Sequence, residues 1–238
     1  DWNLYARLDR PYIRLYEEEE DLAVAVLLDG SASMGWEGDE AYPRWPVAQR
    51  LASALGAMAL LGGDRVHGAL LQRGQIAEAR GPLQGRGYVA RWTAWVARLT
   101  PGGQGGLGLA LDAYAKRSLR PGLVLLLTDG YDVNGLTEGI TALAGRGHEV
   151  ILLHLLTPEE LNPSLHGDLR LVDVEDEHKR EVTIDALALA TYRQRFGAWQ
   201  ADLRVLLGKR NGRYAMLRTD LPLRRMFLED LRLAHIIR

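Results

Sequence analysis

The sequence predicts an α/β fold: a doubly wound, mostly parallel, Rossmann-like sheet with an antiparallel hairpin at one edge. Three short apolar runs, at residues 22–28, 123–127 and 149–156, have the length of strands and read as strands buried on both faces. Segments with helical spacing alternate with these runs, as expected for a parallel sheet covered by helices. Between the first two runs, two short segments separated by Arg73-Gly74 predict the hairpin.

The predicted helices follow from apolar residues that recur every three to four positions. In the first helix, Val47, Leu51 and Leu55 share one face, and Gly62-Gly63 ends the helix. Two prolines within residues 39–46 indicate a loop before it, and the Thr219-Asp220-Leu221-Pro222 sequence predicts the cap of a last helix. The remaining predictions are hairpin strands at 64–72 and 75–83, a further strand at 168–174, and helices at 47–61, 86–99, 109–119, 136–144 and 185–207.

The domain organisation predicted from the sequence is a short lead-in followed by one domain. Residues 1–20 are polar and aromatic and end in four consecutive glutamates, which indicates a solvated lead-in at the end of a longer N-terminal region. The chain opens with Asp1 rather than Met, so we expect upstream sequence, which could include a membrane anchor. Residues 21–238 show no repeat, linker or low-complexity tract, and we expect a single α/β domain with C-terminal helices.

Composition excludes several classes of function. The 29 basic and 31 acidic residues give a net charge of −2, which is no electrostatic signature of nucleic-acid or anionic-membrane binding. No apolar stretch approaches the roughly 20 residues of a transmembrane helix, so this segment is not expected to insert into a membrane. The chain has no cysteine and therefore no disulfide or thiolate chemistry. We expect a cytoplasmic domain, in a parent protein that an upstream segment could anchor.

Polar side chains follow two of the predicted strands at the point where each strand ends. Asp29, Ser31 and Ser33 come directly after the first run, and Asp129 follows the second. The carboxyl ends of parallel strands meet at one edge of a sheet, where ligands bind, so we expect these groups to converge, together with the glycine-rich loop 101–108. Hard divalent cations such as Mg²⁺ or Mn²⁺ prefer such oxygen ligands. The alternative is structural, since Asp and Ser at these positions often cap helices or turns.

The Asp-Gly-Ser-Ala-Ser sequence of residues 29–33, with a second aspartate at a strand end, resembles the metal-ion-dependent adhesion site of von Willebrand A-type domains. More narrowly, the chain resembles the domain-of-unknown-function 58 family, an uncharacterised family whose members carry that fold. The resemblance extends over essentially the whole chain. The stretches that carry it are residues 1–7, 15–19, 28–34, 63–66, 101–103, 147–150 and 214–220.

This resemblance implies a protein-binding module rather than an enzyme, working with a MoxR-type AAA+ ATPase. It also implies that Ser31 and Ser33 are direct ligands of a Mg²⁺ or Mn²⁺ ion, and that Asp29 and Asp129 act directly or through water. An acidic residue of a partner would then complete the coordination. Gln104 stands where the family has a threonine. Its longer side chain offers a carbonyl oxygen to the ion, or instead crowds the ion and hydrogen-bonds to Asp29.

Two enzymatic alternatives are open to the sequence. Gly103–Gly108 satisfies the G-x-G-x-x-G pattern of a dinucleotide-dependent oxidoreductase, with Asp129 about 20 residues beyond. That pattern must follow a strand, whereas residues 86–99 have helical spacing. A serine hydrolase is disfavoured because no G-x-S-x-G elbow surrounds Ser31 or Ser33. His148 and His154, which flank a buried strand, are expected to be structural or exposed.

The large aromatic residues at helical spacing are expected to pack in the core. Part of the helix at 185–207 could instead dock a partner, and self-association of the chain is a further expectation. These aromatic residues are Trp92, Trp95, Phe196 and Trp199.

Overall fold

The computed structural model describes residues 22–36, 43–117, 120–172, 179–234 and 236. The predicted lead-in at 1–20 lies outside the described residues, as do the ends of the predicted helix at 109–119 and of the predicted strand at 168–174. The described strands are β1 (Ala23–Asp29), β2 (Arg65–Gln72), β3 (Gln75–Gln84), β4 (Leu123–Thr128), β5 (Glu149–Leu156), β6 (Gly167–Val172), β7 (Lys179–Ile184) and β8 (Arg213–Arg218).

Six of these strands form the main sheet, in the order β3-β2-β1-β4-β5-β8. All neighbouring pairs are parallel except β2 and β3, which form the antiparallel hairpin at one edge. The predicted fold class is therefore confirmed. The chain runs from β1 toward β2 on one side and later toward β4 on the other, so the carboxyl ends of β1 and β4 meet at a topological switch point.

Helices cover both faces of this sheet. The longer ones are α1 (Arg44–Leu61), α2 (Val89–Arg98), α3 (Leu107–Arg117), α4 (Val133–Gly145) and α6 (Ala186–Gly208), with the single turn α5 (Pro158–Leu161) after β5. Three short segments close the described chain: α7 (Leu223–Arg225), a π-helical turn (Met226–Asp230) and α8 (Leu231–Leu233). Among the described helices, none combines the length and the apolar composition needed to cross a bilayer.

The apolar core has two layers because successive side chains of the buried strands point to opposite faces. In β1, Val24, Val26 and Leu28 face one layer, which contains α1, α2 and the C-terminal segments. Ala25 and Leu27 face the other layer, which contains α3, α4 and the second half of α6. The expected core positions of Trp92 and Trp95 are confirmed, at 0% and 3% exposure, while Phe196 and Trp199 are half-buried.

Several predicted boundaries were wrong, and one strand of the main sheet was not predicted. Helix α1 begins at Arg44, not at residue 47, because Pro43 and Pro46 lie at its N-cap and in its first turn, where proline is tolerated. The strand predicted at 168–174 exists as β6, but it pairs with β7 in a separate two-stranded sheet. The sixth strand of the main sheet, β8, was not predicted. The last helical region begins at Leu223, with Pro222 rather than Thr219 or Asp220 at its N-cap.

Candidate functional site

The end of β1 places one carboxylate and two hydroxyls together. Asp29 is the last residue of the strand, and a 3₁₀ turn (Ser33–Gly35) follows. Asp29 Oδ1 accepts a hydrogen bond from the Ser31 backbone N–H at 3.0 Å, and the Ser31 and Ser33 hydroxyl oxygens are 2.9 Å apart. All three residues are buried, with 5–6% exposure. The turn therefore holds three oxygen-bearing side chains in a small, sheltered volume.

The end of β4 lies beside the end of β1 because the two strands pair in parallel, with Leu28 opposite Leu127. The Thr128 hydroxyl donates a hydrogen bond to Asp29 Oδ2 at 2.6 Å, which joins the two strand ends directly. Asp129, the next residue, is 2% exposed and accepts a hydrogen bond from Ser33. The structure thus brings Asp129 together with the residues after β1, as the sequence predicted.

A third segment, the glycine-rich loop between α2 and α3, closes the site. Gly102 N–H donates to Gly30 O at 2.9 Å, and Ala32 N–H donates to Gly103 O at 3.0 Å. Gly103 has φ +105°, and a Cβ there would lie 2.8 Å from Arg73 Nε, so this position favours glycine. Gln104 follows with an exposed side chain and borders the same cavity.

All five predicted site residues surround one small cavity, which we call the site cavity: Asp29, Ser31, Ser33, Gln104 and Asp129. Its volume of about 10 Å³ is close to what one water molecule or one small ion needs. Asp132, which caps α4 through Gly135 N–H, and Gln72 also border it. Within the described residues, no group of three or more His, Cys, Asp or Glu side chains is arranged to hold a metal. A cation here would therefore depend on the serine hydroxyls as well as on the two aspartates.

Arg44 is the main site residue that sequence reasoning missed. Its side chain is fully buried, and Nη1 donates to Asp129 Oδ2 at 2.6 Å and to Ser33 O at 2.8 Å. Nη2 contacts Glu160 Oε1. Although burial alone would lower the pKa of Arg44, Asp129 and Glu160 raise it, so the guanidinium stays charged. Arg44 lies in the Pro-Arg-Trp-Pro sequence of residues 43–46, and the two prolines there led to the prediction of a loop rather than the start of a helix.

Glu160 extends the polar cluster away from the site cavity. Its carboxylate accepts from the Tyr131 hydroxyl at 2.5 Å through Oε1 and from the Thr157 backbone N–H at 2.7 Å through Oε2. Thr157 and Glu160 form a capping box at the start of α5. The α5 turn after β5 therefore positions a second carboxylate against Arg44, which holds Arg44 in place beneath Asp129.

Negative charge is concentrated in this cluster. Arg44 contacts the carboxylates of Asp129 and Glu160, and the Asp29 carboxylate lies close enough to Asp129 to raise its pKa. Burial raises the pKa of Asp129 to about 7, and the nearby Asp29 carboxylate raises it as well, against the lowering effect of Arg44. The site cavity is therefore an environment in which an added positive charge is favoured.

His154 supports the site from behind and is not exposed. Its Nε2 lies 2.8 Å from Asp129 O and its Nδ1 lies 2.8 Å from the Tyr214 hydroxyl. Because a carbonyl only accepts, Nε2 carries the proton and Nδ1 accepts from Tyr214. Burial lowers the pKa of His154 to about 4, so the ring is neutral. The predicted structural role of His154 is confirmed.

The glycine-rich loop lacks the context of a dinucleotide site. It follows helix α2, which ends at Arg98, rather than a strand, although it does precede helix α3. The G-x-G-x-x-G match at Gly103–Gly108 therefore has only half of the strand–loop–helix arrangement that gives this motif its meaning.

Solved structures with a similar fold include a conserved hypothetical protein BatB from Bacteroides thetaiotaomicron, with a TM-score of 0.53 and 18% identity over 90% of this chain and 98% of that chain. An aerotolerance-related membrane protein from Bacteroides fragilis has a TM-score of 0.50 and 14% identity over 89% of this chain and 99% of that chain. At these identities the likeness shows the fold alone.

Related sequences include uncharacterized proteins of Mycobacterium tuberculosis and Mycobacterium bovis, each 27% identical over 223 residues, which is 92% of this chain and 69% of the relative. A shorter match, 29% identical over 130 residues, is an uncharacterized protein of Mycobacterium avium; it spans 55% of this chain and 76% of the relative. The family described as "Protein of unknown function DUF58" matches residues 1–205 and confirms the resemblance seen in the sequence. The chain therefore belongs to the DUF58 family.

Proposed function

We propose that this chain is a non-enzymatic, von Willebrand A-like protein-binding module that recognises an acidic residue of its partner through a divalent cation. One observation carries the proposal: two strand-end aspartates and two serine hydroxyls converge on a site cavity large enough for one small ion. Oxygen ligands of this kind suit Mg²⁺ or Mn²⁺ and offer little to softer metals.

The residues present fit such an ion in chemistry and in charge. Ser31, Ser33 and Asp129 would hold it, and Asp29, whose oxygens accept from Ser31 N–H and Thr128, would support it from the outer side. The carboxylates of Asp29 and Asp129 both border the site cavity, and a divalent cation would neutralise their negative charge. When bound, the ion supplies open coordination positions for a carboxylate of the partner.

The chain's own groups prepare the site for this role. Arg44 Nη1 donates to Asp129 Oδ2 at 2.6 Å and the Tyr131 N–H donates to Asp129 Oδ1 at 3.3 Å, so the orientation of this carboxylate is fixed. The 2.6 Å hydrogen bond from the Thr128 hydroxyl to Asp29 links the ends of β4 and β1. Gln104, exposed at the rim, replaces the shorter threonine of the family and would contact the ligand or the ion from above.

The partner that we propose is a MoxR-type AAA+ ATPase in the cytoplasm. The support for this part is the resemblance to the family and the absence of cysteine from the chain. An ATPase that presents an aspartate or glutamate to the site cavity would bind in a manner sensitive to chelators, which distinguishes it from a partner that binds by surface contact alone.

Calorimetric titration tests the cation directly. The wild-type chain, freed of metal with a chelator and dialysed, is titrated with Mg²⁺ and Mn²⁺ at millimolar concentration, and we expect saturable binding. Ser33→Ala should weaken that binding by at least about 10–100-fold, the range typical for loss of a group that supports a metal site. Ser164→Ala, at an exposed serine outside the site, is the matched control and should leave it unchanged. No binding heat in the wild type, or equal binding by Ser33→Ala, would remove the cation from the proposal.

A further inference from the structure

The turn between β2 and β3 places an arginine at the rim of the site cavity. Arg73 and Gly74 form this two-residue turn, since Gln72 pairs with Gln75 across the hairpin. Arg73 is exposed and borders the site cavity. Among the described residues that line this cavity, it is the only arginine or lysine. One positive side chain is therefore present at a rim that is otherwise neutral or acidic.

The backbone of this turn is unfavourable for arginine. Arg73 has φ +51° and Gly74 has φ +72°. Positive φ at both central residues is the pattern of a type I′ hairpin turn, which favours Asn, Asp and Gly. The other described non-glycine residue with positive φ is Asn211, a residue type that tolerates this conformation. Residue 73 is thus an arginine where an asparagine would be less strained, and strain of this kind indicates a role for the side chain.

The Arg73 side chain lies along the glycine-rich loop that closes the site. A Cβ at Gly103 would be 2.8 Å from Arg73 Nε and 2.9 Å from Arg73 Cγ, so the lack of a side chain at Gly103 leaves room for Arg73. Within the described part of the chain, no hydrogen bond or ion pair joins the Arg73 side chain to another residue. Its guanidinium is therefore available to a ligand that reaches the rim.

We propose that Arg73 binds the carboxylate of the partner together with the cation, so that two positive groups hold one acidic side chain. This inference rests on the proposed function and adds a specificity-determining residue to it. The site cavity, at about 10 Å³, has room for one small ion, so the partner's carboxylate must lie at the rim, where Arg73 is found. Each carboxylate oxygen has two lone pairs, so a carboxylate that binds the ion still accepts hydrogen bonds from a guanidinium.

This arrangement determines which groups of a partner the site accepts. A neutral oxygen, such as that of a serine or glutamine side chain, could approach the ion but would form no ion pair with Arg73. A carboxylate is attracted by both groups, and a guanidinium matches its planar shape. The expected ligand is therefore an acidic residue that projects far enough from the partner to reach the rim.

Proton relaxation of a capped peptide tests this role of Arg73. The probe is acetyl-Gly-Gly-Glu-Gly-Gly-amide, whose only carboxylate is the glutamate side chain, and the matching glutamine peptide is its control. We expect the Mn²⁺-loaded wild-type chain to enhance the relaxation of the glutamate side-chain protons in a saturable manner. Arg73→Gln should weaken peptide binding by about two- to fivefold, the range typical of ion pairs at exposed positions. Arg91→Gln, at an exposed arginine on α2 outside the lining, should bind the peptide like the wild type.

Arg73→Asn distinguishes a binding role from a structural one. Because asparagine is favoured in this turn, the Tm should rise while peptide binding falls as it does in Arg73→Gln. Calorimetry should show that neither variant binds Mn²⁺ more weakly than the wild type. With Mn²⁺ bound, equal peptide affinity in the wild type and both variants, or no peptide binding by the wild type, would overturn this inference and leave the cation site intact. Weaker Mn²⁺ binding and a lower Tm in both variants would assign Arg73 a structural role instead. Failure of the wild type to bind Mn²⁺ would overturn the proposed function and this inference together.

Discussion

Replacing Arg44 with methionine tests how the buried cluster is stabilised. Methionine keeps much of the aliphatic length and removes the guanidinium, which lies 2.6 Å from Asp129 and also contacts Glu160 while fully buried. Breaking a buried ion pair by removing one partner costs about 3–5 kcal/mol, because the remaining charge has no counter-ion. For a chain of this size each kcal/mol lowers the Tm by about 2–4 °C, so we expect a fall of roughly 6–20 °C.

Differential scanning calorimetry of Arg44→Met at pH 7.5 without divalent cations measures this change. The triple variant with Asp129→Asn and Glu160→Gln removes the uncompensated charges and should recover at least half of the lost Tm. Arg91→Met, at an exposed arginine, should stay within about 0.5 kcal/mol of the wild type. A loss below about 1 kcal/mol in Arg44→Met would refute the reasoning, because it would show that the carboxylates do not need Arg44. If the proposed cation binds, millimolar Mg²⁺ should raise the Tm of Arg44→Met more than that of the wild type.

Four further variants test the packing, the capping and the ionisation of particular residues. Gly56→Ala in α1 should destabilise the chain by about 1–3 kcal/mol, because the new Cβ would lie 2.2 Å from Trp92. Gly197→Ala in α6 meets no atom within 4 Å and should stabilise the chain by about 0.5–1 kcal/mol. Urea unfolding measures both changes in the free energy of unfolding. Thr157→Ala removes the α5 cap and should cost about 0.5–2 kcal/mol in the same assay. Burial lowers the pKa of His148, so the unfolded state takes up a proton first and stability should fall as the pH drops below about 6.5. In His148→Gln the free energy of unfolding should fall less between pH 7.5 and 5. An unchanged dependence on pH would contradict a lowered pKa of His148 in the folded chain.

The parts of the fold that could be predicted are those that a continuous apolar run determines. The strands β1, β4 and β5 are buried on both faces, so their sequences are apolar throughout and their ends are clear. Strand β8 has arginine at both ends and only Ala215 and Leu217 fully buried, because it lies at the edge of the sheet. Its pattern is too short and too polar to distinguish from a loop. Strand β6 was recognisable as a strand, but its pairing with β7 depends on contacts that no local pattern contains.

In the candidate site, too, some residues could be placed from local sequence patterns and others only from tertiary contacts. Asp29 and Asp129 could be placed together because the ends of parallel strands share one edge of the sheet, and the bond between Thr128 and Asp29 follows from that pairing. The contact between Arg44 and Glu160 could not be predicted, because these residues are 116 positions apart and meet only through tertiary packing. A basic residue between two prolines has no periodic signal, and only the structure shows that it is buried.

The outer strand β3 of the main sheet limits how copies of this chain can meet. Among the described residues, the hairpin strand β3 pairs with another strand on one side only. It carries charged residues such as Glu78 and Arg80, and Pro82 has no N–H to donate. Charges and proline on an exposed edge oppose the addition of a further strand from another molecule. Growth of a continuous intermolecular sheet is therefore disfavoured at this boundary. The described helices expose apolar side chains that self-association of the chain could use instead, such as Leu187 and Val205 on α6.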